Sequence, residues 1–170
     1  MKNSNVAFTA KAALIAALYV VLTLISAMFG LSSNVIQVRI SEALSFLPYL
    51  NSAAIPGLTI GCLISNALAG GVPLDIIFGS TATLLGAILA HLIGRLTKNS
   101  THKVFFMVLS TLPNVITNVL IIPWVLKIAY GAEEAIPFMM MTVGIGEFIA
   151  STIIGTIVIL AIKNNQKLLK

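Results

Sequence analysis

Long apolar runs, separated by short polar or glycine- and proline-containing segments, set the pattern of this chain. The runs cover 12–30, about 35–50, a third stretch that ends near 69, 74–94, about 104–126 and about 138–162. A helix needs about 20 mostly apolar residues, within a range of about 17–25, to cross a membrane. Gly70-Gly71-Val72-Pro73 predicts a turn between the third and fourth runs. We therefore predict an all-α membrane protein, a six-transmembrane-helix bundle forming a single integral membrane domain over residues 1–170.

Composition narrows the class of protein. Hydrophobic residues make up 58% of the chain and charged residues 9%, whereas soluble proteins carry roughly 25% charged residues. So few charges exclude a soluble enzyme and a disordered chain, and the single cysteine, Cys62, excludes a disulfide-stapled domain. The net charge is +5, but the basic residues lie between apolar runs and form no basic face for nucleic acid. The sequence indicates no catalytic residues, no metal site and no cofactor.

The positions of lysine and arginine predict the orientation, because these residues concentrate in short cytoplasmic segments. With the N-terminus inside, the cytoplasmic segments hold Lys2, Lys11, Arg95, Lys98, Lys103, Lys163, Lys167 and Lys170. The outer segments then hold only Lys127 and Arg39. Both termini are therefore expected in the cytoplasm, in a multi-pass protein of the cell membrane. A signal peptide is the alternative for the N-terminus, but its apolar run is too long and further spans follow.

Polar residues inside the spans are the candidates for function, since an ionisable group at mid-membrane costs at least ~2.5–3.5 kcal/mol. The ionisable candidates are Arg39, Glu42, Asp75 and Glu147, and the amide candidates are Asn66, Asn114 and Asn118. By depth they cluster in the outer half of the bundle, while the inner half holds little besides His91. This distribution favours a pocket that opens outward over a continuous channel.

Several of these residues also have structural explanations. Arg39 and Glu42 are spaced i, i+3 and could pair along one helix face. Asp75 could be a first-turn acid favoured by the helix dipole. Asn114 could bond backbone groups that Pro113 frees.

The remaining polar and aromatic residues have similar alternatives. Asn66 and Asn118 could form hydrogen bonds between helices. His91 is expected at the cytoplasmic interface, and Trp124 and Tyr130 are expected in the aromatic belt at the outer boundary.

Glu147 is the hardest of these residues to explain by structure alone. No basic residue lies near it in its own span, and Gly144 and Gly146 allow another group to approach closely. With Arg39 as the only nearby cation, an outer pocket that contained Glu42, Asp75 and Glu147 would carry net negative charge. Such a pocket should prefer a ligand that is cationic or rich in N–H donors.

Five segments of the chain resemble one known family. They are 36–44, 54–58 with Gly61, Cys62 and Asn66, 74–80 with Thr83 and Leu84, Pro113-Asn114 with Asn118, and Gly146-Glu147. Together they resemble the QueT family of queuosine-precursor transporters over nearly the whole chain. QueT proteins are substrate-binding S-components of energy-coupling factor (ECF) transporters. The resemblance implies a six-helix bundle that binds a 7-deazaguanine, such as 7-aminomethyl-7-deazaguanine, on the outer side.

The resemblance also assigns expected roles to the candidates. The expected ligand-binding residues are Glu147, Asp75, Asn118, Glu42, Arg39, Asn66, Asn114 and Phe78. Among them Glu147 is the expected principal carboxylate, and Asp75 or Glu42 is expected to face the aminomethyl ammonium. Phe78 or Phe148 is expected to stack on the ring.

ATP-driven uptake would require partners, because the chain has no G-x-x-x-x-G-K-[ST] phosphate loop. In the family these partners are a transmembrane coupling subunit and two ATPase subunits. Small residues near the cytoplasmic end of the first span predict the docking face, since they let helices approach closely. They are Ala12, Ala13, Ala16 and Ala17.

Two other transport functions stay open at the level of sequence. One is an S-component for another small nitrogenous vitamin, and the other is a stand-alone secondary transporter. The second would more often show inverted repeats or paired broken helices, and neither is evident.

Overall fold

The computed structural model describes residues 2–31 and 36–163, and the regular secondary structure in this part of the chain is helical, without strands. The helices are α1 (Lys2–Met28), a 3-10 helix (Ile40–Phe46), α2 (Leu47–Leu50), α3 (Ala54–Leu68), α4 (Pro73–Leu96), α5 (Lys103–Leu109), α6 (Leu112–Ala129), α7 (Ile136–Glu147), a π-helical segment (Phe148–Ile154) and α8 (Gly155–Ile162). The prediction of an all-α protein is confirmed for these residues.

Four stretches in the described part are long and apolar enough to cross a membrane. They are Ser4–Met28, Pro73–Leu96, Lys103–Ala129 and Ile136–Ile162. They correspond to the first, fourth, fifth and sixth predicted spans and support a multi-pass membrane protein. The third of them is interrupted by a turn at Ser110 and Thr111, between α5 and α6, and the last contains the π-helical segment.

The second predicted span differs from the expected membrane helix. Residues 37–39 lie outside the helices, with Arg39 extended, and the 3-10 helix that follows is buried from Ser41 to Phe46. At about 2.0 Å per residue in the 3-10 helix and about 1.5 Å in α2, the pair is about 20 Å long, short of the ~30 Å hydrocarbon core. It lies inside the bundle, packed against α1, the π-helical segment and α8. Its burial places this segment in the core of the bundle, away from the lipid-facing surface.

The third predicted span is α3, whose 15 residues are also fewer than a spanning helix ordinarily needs. It ends at a turn in which Gly70 adopts a φ of +78°, a conformation that favours glycine. This confirms the turn predicted before α4. Because Pro73 is in the first turn of α4, its missing N–H removes no helical hydrogen bond.

Helices α1 and α3 pack closely through small residues. A Cβ added at Gly57 would lie 2.9 Å from the carbonyl oxygen of Ala12, and one at Gly61 would lie 3.0 Å from that of Ala16. Ala12 and Ala16 are accordingly buried against α3. Because Ala12 and Ala16 contact α3, they are not available to a partner, which corrects the prediction that all four alanines form a docking face. Ala13 and Ala17 are exposed, and the docking prediction is restricted to them.

Candidate functional site

Two adjoining cavities hold the polar residues of the bundle. The first, which we call the wide cavity, has a volume of about 460 Å³. It lies where α1, α3 and α6 end and where α4 begins. Its polar lining consists of Thr23, Gln37, Arg39, Asn66, Asp75 and Tyr130. Ligand sites are typically roughly 300–1,000 Å³, so this cavity is large enough for a small molecule.

The second cavity, which we call the narrow cavity, lies deeper along the same helices and has a volume of about 30 Å³. It is lined by Gln37, Arg39, Glu42, Cys62, Gly79, Thr83, Asn118, Ile122, Val143 and Glu147. This is room for about two water molecules. Gln37, Arg39 and Ile122 line both cavities and therefore form the boundary between them.

A polar stripe on α1 holds the start of the 3-10 helix. The hydroxyl of Tyr19 donates to Oε1 of Glu42, and Oγ1 of Thr23 donates to Oγ of Ser41 at 2.8 Å. Tyr19, Thr23 and the nearby Ser26 are all buried, and Oγ of Ser26 accepts the backbone N–H of Ile40. These bonds fix Glu42 at the wall of the narrow cavity.

Asn114 joins two carboxylates. Its Nδ2 lies 2.9 Å from Oε2 of Glu42 and 3.2 Å from Oε2 of Glu147, and it donates to both. Pro113 lies in the first turn of α6, where a missing N–H is tolerated, so the suggestion that Asn114 compensates for that proline is wrong. The role of Asn114 in this structure is to position the two acids.

Glu147 ends α7, immediately before the π-helical segment, and is partly buried at the wall of the narrow cavity. Among the described residues only Asn114 donates to it, at Oε2, which leaves Oε1 without a protein donor. Gly146 does permit a close approach, as predicted. The approaching group belongs to the chain itself, because a Cβ there would collide with the carbonyl of Gln37.

Arg39 does not form the ion pair with Glu42 that was the structural alternative for these two residues. Its backbone is extended, with φ −104° and ψ 109°, so the two residues do not share a helix face. Its Nη1 donates instead to Oδ1 of Asn66 at 3.0 Å, and within residues 2–31 and 36–163 it pairs with no carboxylate. Since a guanidinium has five N–H donors, Arg39 keeps several for other partners.

Asn118 is buried beside the narrow cavity. Its Nδ2 donates to the backbone carbonyl of Asn114 at 2.9 Å, one turn earlier on α6. The side-chain oxygen has no donor in the described part of the chain. Asn118 thus supports α6 through one amide atom and presents an acceptor with the other.

Asp75 and Tyr130 form a pair at the wide cavity. The tyrosine hydroxyl donates to Oδ2 of Asp75 at 2.9 Å and accepts the backbone N–H of Val72 at 3.4 Å. Asp75 is 9% exposed, whereas Tyr130 is 48% exposed. Desolvation, with the hydrogen bond to Asp75, raises the pKa of the Tyr130 phenol above its ordinary value. The phenol therefore remains a donor at neutral pH.

Phe78 and Phe148 lie outside both cavities, which corrects the prediction that one of them stacks on a ligand. Phe78 is 45% exposed and lies in an apolar groove with Leu74 and Trp124 on the outside of the bundle. His91 also lies away from the cavities, where its Nδ1 is 2.8 Å from the carbonyl oxygen of Pro48. The described residues contain no group of three or more potential metal ligands.

The structure thus brings together seven of the eight predicted ligand-binding residues, all except Phe78. Sequence reasoning missed Gln37, Tyr19 and the contact of Tyr130 with Asp75. Tyr19 had a readable signal, since Tyr19, Thr23 and Ser26 recur at helical spacing within an apolar span. Gln37 had none, because it contributes to the cavities from a segment outside the helices.

Comparison with known proteins decides the family. The sequence model of the QueT transporter family matches residues 9–164. The chain belongs to the QueT transporter family. A curated relative from Lactococcus lactis subsp. cremoris (strain MG1363), named "Queuosine precursor transporter QueT", is 40% identical over 85 residues.

That match covers 50% of this chain and 50% of the relative, so it spans about half of each protein. No solved structure matches this QueT family member. Family membership and the long apolar helices make it a multi-pass membrane protein of a transporter family.

Proposed function

We propose that this QueT family member is the substrate-binding subunit of an ECF-type importer for a queuosine precursor, a 7-deazaguanine such as 7-aminomethyl-7-deazaguanine. Family membership and the printed name of the Lactococcus relative support the substrate class. The distribution of lysine and arginine supports an orientation in which the wide cavity opens to the outside. The six-span topology with both termini in the cytoplasm is part of this proposal.

The observation that carries the proposal is Glu147, a carboxylate in the membrane interior with an oxygen that no described residue occupies. A guanine-type ring presents neighbouring N–H donors, and a carboxylate accepts such donors strongly away from water. In the proposed complex Glu147 accepts the donor edge of the base. Arg39 donates to its carbonyl oxygen, and the side-chain oxygen of Asn118 accepts a further N–H.

Charge and size agree with this ligand. Arg39 is the one cation that lines the cavities among the described residues, against Glu42, Asp75 and Glu147. If all of these groups are ionised, the site is about −2, and a ligand with a cationic group is favoured. The wide cavity can hold a bicyclic base, whereas the narrow cavity can admit only its edge or must expand.

The test is mass spectrometry of small molecules that co-purify with the gently solubilised protein, followed by calorimetric titration. Glu147→Gln places an N–H donor where an acceptor is needed, so affinity for the deazaguanine should fall at least tenfold, or about 1.4 kcal/mol. Glu134→Gln, in an exposed loop, is the matched control and should bind like the wild type. Recovery of an unrelated vitamin would overturn the substrate assignment. Unchanged affinity of a folded Glu147→Gln variant would overturn the role of that residue.

The proposed partners are a transmembrane coupling subunit and two ATPase subunits, since the chain has no phosphate loop. We place their docking face at Ala13 and Ala17, which are exposed on α1 while Ala12 and Ala16 are buried against α3. Ala13→Trp or Ala17→Trp should leave ligand binding within about twofold of wild type but block uptake by the complete complex. Leu18→Trp, about 100° around the helix from Ala17 and with a large side chain already exposed, is the control. Normal uptake by both alanine variants would exclude this face.

A further inference from the structure

The two cavities differ in which carboxylate is available to a ligand cation. Each oxygen of Glu42 already accepts a hydrogen bond, one from Tyr19 and one from Asn114. Glu42 is also only 3% exposed. An ammonium group could reach this acid only if its protein donors moved. Glu42 is therefore a poor partner for a cationic substituent.

Asp75, unlike Glu42, has a carboxylate oxygen that is available to a ligand. It lines the wide cavity, and Tyr130 occupies Oδ2 while no donor from the described residues reaches Oδ1. A Cβ at Gly79 would lie 3.7 Å from Oδ1, and one at Gly71 would lie 3.3 Å from Oδ2. At both glycines Asn66 is closer still, since an added Cβ would lie 2.9 Å from one of its atoms. The room for a ligand beside Asp75 is therefore that of the wide cavity. A carboxylate that is desolvated, held in place and half-occupied is well suited to bind an ammonium group.

Tyr130 gives this carboxylate a fixed orientation. Its hydroxyl is held between Asp75 and the backbone N–H of Val72, which lies in the turn between α3 and α4. The donor comes from the end of α6, so the pair also ties α6 to that turn. Because the tyrosine hydroxyl occupies one oxygen, a cation is directed to the other.

We propose that Asp75, positioned by Tyr130, is the residue that selects ligands with an ammonium substituent over neutral ligands with the same ring. The proposal rests on the function proposed above, in which Glu147 binds the ring. It divides recognition between two acids. Glu147 in the narrow cavity recognises the base edge that all deazaguanines share, and Asp75 in the wide cavity recognises the substituent that distinguishes them.

The experiment compares two ligands, 7-aminomethyl-7-deazaguanine and the neutral 7-methyl-7-deazaguanine, by titration of the purified full chain. The wild type should prefer the aminomethyl compound at least tenfold. Asp75→Asn keeps the shape and an acceptor for Tyr130, and it should weaken the aminomethyl ligand at least tenfold while changing the methyl ligand less than about twofold. Tyr130→Phe should act in the same direction but only about threefold, because the charge remains.

Glu147→Gln and Glu134→Gln complete the set. Glu147→Gln should weaken both ligands by similar factors, and Glu134→Gln, in the exposed loop, should weaken neither. An equal loss of both ligands in Asp75→Asn, or a wild type without preference, would overturn the selective role of Asp75. A wild type that binds neither compound would instead overturn the proposed function. Thermal unfolding of each variant in detergent distinguishes a loss of affinity from a loss of folded protein.

Discussion

The narrow and wide cavities share three lining residues, yet their polar groups differ in how fully they are hydrogen bonded. In the narrow cavity both oxygens of Glu42 and the amide nitrogen of Asn114 are engaged with buried neighbours. In the wide cavity, Asp75 has one oxygen and Arg39 has several N–H groups without a partner in the described chain. Glu42 and Asn114 are used by the protein itself. Asp75, Arg39 and, within the narrow cavity, Glu147 keep atoms that a ligand can bind.

The difference shows that a costly polar residue in a membrane protein can have either of two functions. A buried carboxylate without donors is unfavourable, so each acid must be satisfied by the protein, by water or by a ligand. Glu42 is satisfied by the protein and its loss should mainly affect folding. Asp75 and Glu147 are satisfied in part, and their loss should mainly affect binding.

The largest effect is expected for Asn114→Leu, which removes the donor that Glu42 and Glu147 share. Each acid left without this donor should lower the free energy of unfolding by about 1–3 kcal/mol, so the two together by about 2–6 kcal/mol. A typical protein has a free energy of unfolding of about 5–15 kcal/mol, so this loss is large. Thermal unfolding in detergent should show a large decrease in stability and binding should be lost. Ile116→Leu, on the exposed face of α6, is the control.

A double variant sharpens this result. Adding Glu147→Gln to Asn114→Leu removes one of the two facing charges, so part of the lost stability should return. If Asn114→Leu is as stable as the wild type, the narrow cavity is not held together by this amide, and the contrast between the two cavities is wrong.

A smaller effect is expected from two tyrosines that donate to acids in different cavities. Tyr19 is 1% exposed, and Tyr19→Phe leaves Oε1 of Glu42 without a donor, at a cost of about 1–3 kcal/mol in the free energy of unfolding. Tyr130 is 48% exposed, so water can replace its hydroxyl and Tyr130→Phe should cost less than about 1 kcal/mol. Chemical unfolding of both variants measures the difference. Equal losses of unfolding free energy in the two variants would contradict the expected difference between the two cavities.

Much of the site could be predicted from the sequence because charge inside a membrane is expensive. Because of that cost, Glu42, Asp75 and Glu147 could be identified as candidates without knowledge of the fold. The same reasoning identified Asn114 and Asn118, which are polar residues at similar depth in the predicted spans. The 3-10 helix could not be predicted, since a short apolar run fits a buried core segment and a membrane span equally well.

The direction in which side chains point from each helix was the second feature that limited prediction from the sequence. Apolar residues occur on every face of a membrane helix, so hydrophobicity does not show which face of α4 points inward. The polar and small residues do show it, because Asp75, Gly79 and Thr83 recur at i, i+4 and i+8 and all are buried. Phe78 lies off this stripe, and its aromatic character alone led to the wrong assignment.

The smallest effect is expected at Phe78, and its neighbour provides the contrast. Phe78→Ala removes a whole ring, but that ring lies in a groove on the outside of the bundle, so ligand affinity should change less than about twofold. Gly79→Ala adds one methyl group, whose Cβ would lie 2.9 Å from Nδ2 of Asn66, the side chain whose oxygen accepts from Arg39. Because that amide must shift, affinity should fall several-fold. Titration of the two variants compares neighbouring positions on one helix, and a larger loss for Phe78→Ala would place the ligand outside the two cavities.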